Sequence, residues 1–303
     1  MIRAHTAVTY EREPLRTREV GWPTIALFLA VSTGVLVLFL HLPHGGPLGH
    51  LLDGPEWRQN LAVSGARLLL AVGVLLFGVG RLRPRDLGAG RRQLLEAVAV
   101  VGGAWGIAQL LSVGFMLATA GAVELDPAWA ARGAPDVLAW AGVMFGATAL
   151  YEELAFRGFL FPQLYLKSRG SPRVRFWAAA LASQLVFGAV HIPGHVILRG
   201  MSGAELVRVV LLQAFVGLLL LLVYLRTRNL WVAVGFHGLI NSPTPLFVSW
   251  VPWEPSLLLV LLGWPRLMRH PAHQGLAHVA RTDAGPDAAR AMPDAGGLLR
   301  AGA

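Results

Sequence analysis

Apolar residues in this chain come in runs of about twenty, repeated almost from end to end. A helix of that length crosses about 30 Å of hydrocarbon. Within hydrocarbon every backbone N–H and C=O needs a partner inside the structure, so only helices and closed barrels can cross. Unbroken apolar runs, rather than short alternating ones, select helix. The pattern predicts an all-α fold, a polytopic membrane helical bundle. Eight spans are expected, at 22–42, 60–80, 94–121, 136–163, 176–196, 205–225, 230–249 and a short one at 255–265. Residues 1–21 read as a charged N-terminal tail and 22–265 as the membrane domain. Residues 266–303, rich in Ala, Gly, Arg, Asp and Pro, cannot bury a core and read as a disordered tail.

Composition agrees. Of 303 residues, 55% are hydrophobic and 14% charged, against about a quarter charged in soluble domains. Cysteine is absent, which excludes a cysteine nucleophile, disulfides and thiolate metal sites. The net charge of +9 would suit nucleic acid, but its distribution argues for another role. Arg3, Arg12, Arg16 and Arg18 lie before the first span, and only Arg58 after it. Arg81, Arg83, Arg85, Arg91 and Arg92 crowd the next segment, and Arg132 is alone in the following one. The alternation continues through Lys167, Arg169, Arg173 and Arg175, then Arg199, then Arg226 and Arg228, and ends on an arginine-rich tail. This positive-inside pattern places both termini in the cytoplasm, and no nucleic-acid partner is needed to explain the charge. The first span is longer than a signal-peptide core and is followed by His41-Leu42-Pro43, not a small-residue cleavage site, so it is expected to stay as an anchor. Heavy use of Arg and Ala suggests a bacterium, and hence a multi-pass protein of a bacterial cytoplasmic membrane.

Charges inside the spans are the exceptions that carry chemistry, because ionised groups at membrane depth are costly and usually functional. Glu152, Glu153 and Arg157 interrupt the fourth span. Glu153 and Arg157 are four apart and share a helix face, as an ion pair would. Glu152 is turned away by about 100° and is the free carboxylate. Phe187 and His191 are spaced in the same way in the fifth span, and His237 and Asn241 in the seventh. Taken singly, each histidine is more ordinary as a hydrogen-bonded packing residue. His195, one turn past His191 but beyond Pro193, is read that way. Pro162 and Pro193 are expected to stop or kink their helices, and Pro243 and Pro245 to break the seventh. Gly102 with Gly106, and Gly142 with Gly146, have the spacing of close helix contacts.

The string Glu152-Glu153-Leu154-Ala155-Phe156-Arg157 resembles the Glu-Glu-x-x-x-Arg motif of the CPBP family, the CAAX proteases and bacteriocin-processing membrane proteins also called Abi proteins. Phe187-x-x-x-His191 resembles its second motif and His237-x-x-x-Asn241 its third. The resemblance covers about 136–249, a protease core within the membrane domain. It implies an intramembrane endopeptidase acting on a membrane-associated protein or peptide. Glu152 would activate the water, His191, His237 and Asn241 would complete the site, and Glu153, Arg157 and Phe187 would support it.

Chemistry on these residues is consistent with that. Amide hydrolysis needs an activated water, a stabilised oxyanion and a proton for the leaving amine. Glu152 can take the water proton, either histidine can hold water or give a proton, and Asn241 can donate to the oxyanion. Glu152, His191 and His237, with Asn241, are equally a set able to ligate one divalent metal such as zinc, whose bound water would be the nucleophile. The family has been described in both ways. The lack of a compact zinc motif favours direct glutamate chemistry. Two other readings remain open: a non-catalytic protein of the same fold that binds a peptide toxin in self-immunity, and a proton-relaying transporter.

Overall fold

The computed structural model of the chain describes residues 19–41, 54–79, 81, 89–248 and 254–267. Most of the two expected tails, and the charged loops at 42–53 and 82–88, lie outside the described residues. The chain is an all-α polytopic bundle. Its elements are α1 (Trp22–His41), α2 (Glu56–Val79), α3 (Arg91–Ala120), the short α4 (Pro127–Arg132), α5 (134–167), α6 (Pro172–Ala189), α7 (Ile192–Arg199), α8 (Gly203–Thr227), α9 (Leu230–Asn241) and α10 (Pro255–Leu267). Among the described residues, five stretches are long and apolar enough to cross a membrane: α1, α2, α3, α6 with α7, and α8. Residues up to Leu261 form one compact unit, and of the unit beyond it only the end of α10 is described.

The molecule is built inside out relative to a soluble domain. Leu110 (72% exposed), Leu198 (70%) and Leu95 (63%) face outward, while Glu153, Arg157, Gln163 and Ser183 are fully buried. An apolar exterior around a polar centre is what a bilayer solvent requires. The interior along α5 is filled by aromatic edges: Phe28 on Phe159 at 4.9 Å between ring centroids, and Phe156 on Phe187 at 5.0 Å. Such edge-to-face pairs fill space and add about 1 kcal/mol beyond burial.

Three departures from the expected helices shape the site. Pro162 does not stop α5. The helix winds in π form over Leu154–Leu160, just before the proline, and continues to Lys167. A local widening of this kind accommodates a residue that has no N–H to give and clashes with the preceding turn. Pro193, by contrast, marks a true break. α6 ends at Ala189, and Pro193 lies in the first turn of the new helix α7, where its missing N–H costs nothing. His191 therefore sits at the corner. α9 stops at Asn241, well short of the span expected to 249, because Pro243 and Pro245 cannot extend the ladder. The chain beyond it is pinned instead by Trp105 Nε1 donating to Pro243 O (3.1 Å), Trp129 Nε1 to Pro245 O (2.7 Å) and Leu246 N to Gln109 Oε1 (2.8 Å).

The close helix contacts also fall elsewhere than expected. Nothing lies within 4 Å of where a side chain would begin at Gly102, Gly106, Gly142 or Gly146. Gly102 and Gly146 instead line an apolar groove of about 440 Å³ between α3, α5 and α9. Glycines do permit contact on α9, where Gly235 lies against Val101 of α3 and Gly238 against the Phe145 ring of α5, and at two further positions: Gly188, against the Val210 carbonyl, and Gly217, where a Cβ would stand 2.7 Å from Gln184 and 2.8 Å from Phe187. Gly188 and Gly217 lie where α6 runs along α8.

Candidate active site

Adjacent glutamates on α5 are turned about 100° apart and meet opposite ring nitrogens of one residue, His237. Glu153 is fully buried and faces α8 and α9. Its Oε1 lies 3.0 Å from Arg157 Nη1 and 2.7 Å from His237 Nδ1. Arg157 in turn donates from Nη2 to Gly217 O at 2.9 Å and lays its guanidinium over the Phe187 ring at 4.6 Å. One arginine thus ties α5, α6 and α8 together. The expected Glu153–Arg157 pair is present. What Glu153 holds, however, is His237 on α9, a partner that lies 84 residues away in sequence and that helical spacing cannot reveal.

Glu152 lies between the two histidines. His237 Nε2 is 3.3 Å from its Oε2, and His191 Nε2 is 3.7 Å from its Oε1. Each imidazole is fixed from behind. His191 Nδ1 is 2.7 Å from the Phe187 carbonyl, one of those left free where α6 ends. A carbonyl only accepts, so Nδ1 is the donor there. His237 Nδ1 likewise donates to the carboxylate of Glu153. The two Nε2 atoms are therefore the free ends, and both are aimed at Glu152. The Phe187 ring packs edge-on against His191 at 5.0 Å and His237 at 6.0 Å, which seals the apolar side. His237 and Glu152 are nearly buried, whereas the His191 side chain is 26% exposed. The His191 side is thus the approach to the carboxylate.

Depth counting along the expected spans places His191 too far from Glu152 and His237, yet the structure brings the three together. α5 runs on to Lys167, so Glu152 is well inside it. α9 starts from a buried turn, where Asn229 caps Trp231 and donates to Gln93 O at 2.8 Å, so few residues are needed to reach the centre. Asn241 is the last residue of α9, half-buried and one turn beyond His237; no bond from it to the other three is seen among the described residues. His195 behaves as the packing residue it was read to be: it is buried, with Nε2 3.2 Å from Gln213 Oε1.

Among the described residues, no three His, Asp or Glu side chains are gathered in an arrangement that would hold a metal ion. His191 and His237 approach different oxygens of Glu152.

One residue escapes helical-motif reading altogether. Arg67 lies inside α2, 8% exposed, with Nε donating to Ser32 O at 3.0 Å and its guanidinium over the Tyr151 ring at 5.0 Å. Its signal was present: an arginine within an apolar span deserves the same attention as a glutamate there.

No curated protein and no solved structure matches the chain. Residues 134–243, from the start of α5 to just past α9, match the Rce1-like family model, described as type II CAAX prenyl endopeptidase Rce1-like. All the site residues above except Arg67 fall within that segment, which is similar to the Rce1-like model over the same stretch whose three motifs resemble the CPBP/CAAX-protease family.

Proposed function

We propose that this protein is an intramembrane endopeptidase that hydrolyses a peptide bond in a membrane-associated protein or peptide, with Glu152 as the general base. The observation that carries the reading is the convergence of both Nε2 atoms on the Glu152 carboxylate, each imidazole being held from behind through Nδ1. A water placed at that carboxylate from the exposed His191 side would lose its proton to Glu152. His191 would hold the water or pass a proton to the leaving amine. His237, fixed by Glu153, and Asn241, one turn on, would face the oxyanion. Glu153 and Arg157 are positioning residues, and Phe187 shields the pair from lipid.

We favour direct glutamate chemistry over a metal-bound water, because the sequence lacks a compact zinc motif such as His-Glu-x-x-His. Zinc held by Glu152, His191 and His237 remains the competing mechanism. The working location is a bacterial cytoplasmic membrane.

The test is cleavage of a membrane-tethered peptide library by the purified full chain, with mass-spectrometric readout. Wild type, Glu152→Gln and His237→Ala run side by side, with and without chelator. Cleavage lost in both variants and insensitive to chelator supports glutamate chemistry. Chelator sensitivity reversed by zinc supports the metal mechanism. A folded wild type that cleaves nothing while still binding peptide points to the immunity role.

A further inference from the structure

Arg67 is the buried charge that the proposed chemistry leaves unused. It stands beside the site, on the face of α5 that carries Glu152. Thr148, Tyr151 and Glu152 are three and four residues apart and share that face. Ser64 Oγ meets Thr148 Oγ1 at 3.0 Å, and one turn later on α2 the Arg67 guanidinium covers Tyr151.

Its partners are incomplete. The equally buried Arg157 has a carboxylate, a backbone carbonyl and a ring. Arg67 has a carbonyl and a ring, and among the described residues no carboxylate pairs with it. A guanidinium carries five N–H donors, and one is used on Ser32. The remaining nitrogens are not among the sealed side-chain atoms that lack a partner, as Arg157 Nε is, so they front accessible space. A desolvated guanidinium with its outer edge free is arranged to receive a planar anion through two parallel N–H bonds.

We propose that Arg67 is a specificity-determining residue that binds a carboxylate of the substrate peptide beside the scissile bond. The inference rests on the protease reading and names a feature of its substrate. Two sources share this chemistry: the free C-terminus of a peptide cut near its end, and an Asp or Glu side chain close to the cut. Arg67 lies on α2, outside the segment that matches the family model, so the preference is a property of this chain's N-terminal helices.

The experiment uses the full chain in nanodiscs and a set of otherwise identical peptides: C-terminal acid or amide, each with Asp or Asn next to the cleaved bond. Wild type is expected to prefer the carboxylate-bearing peptides by about ten- to a hundredfold in kcat/KM, mostly through KM, the range for hydrogen bonds to a charged group. The acid/amide and Asp/Asn ratios identify the source. In Arg67→Gln the ratio falls to about one. In Arg67→Lys, which keeps the charge without the fork, it is intermediate. Equal cleavage of all four peptides by wild type overturns the proposal while leaving the protease reading standing. So does an Arg67→Gln variant that loses rate equally on every peptide, which is the mark of a merely structural role. If nothing is cleaved, the protease reading fails, and binding of the same four peptides decides the carboxylate question separately: affinity indifferent to the carboxylate overturns it.

Discussion

The two sides of α5 are built to different standards. Towards α6, α8 and α9, contacts are close and charges are paired: Gly217 leaves no room for a methyl group, and Arg157 spends its guanidinium on Glu153, Gly217 O and the Phe187 ring. Towards α2 and α3, packing is looser. One hydroxyl pair joins Ser64 to Thr148, Arg67 lacks a carboxylate, and an apolar groove of about 440 Å³ opens beside Gly102 and Gly146. Glu152 and Glu153 are neighbours in sequence and both meet His237, yet Glu153 is fully sealed with Arg157, whereas Glu152 also meets the part-exposed His191. A framework that must hold imidazoles to a few tenths of an ångström needs the first kind of packing, and a surface that must admit a peptide needs the second.

That contrast can be broken most severely at Glu153. Glu153→Gln leaves Arg157 buried without its counter-charge and replaces the carboxylate that accepts from His237 Nδ1 with a weaker, neutral amide. The expected cost is about 3–5 kcal/mol of stability, together with loss of activity, read by thermal unfolding in detergent and by peptide cleavage. Glu152→Gln should separate the two functions. Cleavage falls by about 10²–10⁴-fold, the range of a lost general base, while the unfolding midpoint holds or rises. If Glu152→Gln unfolds the protein as Glu153→Gln does, the division of labour between them is wrong. Gly217→Ala probes the tight side without touching a charge. A Cβ there would stand 2.7 Å from Gln184 Oε1 and 3.3 Å from Arg157 Nη2, so about 1–3 kcal/mol is expected to be lost, with activity falling as Arg157 shifts.

Legibility from sequence follows the same division. Apolar runs locate the long helices because bilayer thickness leaves them little freedom of length. Pairs one turn apart, such as Glu153 with Arg157 and Phe187 with His191, are readable because helix geometry alone brings them together. What crosses between helices is not readable in this way. The bond from Glu153 to His237 depends on how α9 enters the bundle. The meeting of His191 with Glu152 depends on a corner at Val190–His191 that hydropathy smooths over. The end of α9 at Asn241 follows from two prolines whose effect hydropathy also averages away. Arg67 was legible by the rule that singled out the glutamates, but it belongs to no helical pair and so carries no spacing signal. The glycine pairs show the opposite failure. Gly142 and Gly146 have the spacing of a contact, but nothing lies within 4 Å of a Cβ at either; α9 meets α5 between them instead, through Gly238 against the Phe145 ring.

Gly146 therefore offers the mildest and sharpest comparison. It lies in the same helix as Glu152, in a π-wound turn at Met144–Ala149, and a Cβ at this position meets nothing within 4 Å. Alanine loses less backbone entropy than glycine on entering a helix, by about 0.5–1 kcal/mol. With open space on that side, Gly146→Ala should raise the unfolding midpoint slightly and leave cleavage near the wild-type rate, opposite in sign to Gly217→Ala. A loss of stability at Gly146 comparable to that at Gly217 would mean that another surface closes on the groove in the membrane, and that the loose side of α5 is loose only in the isolated chain.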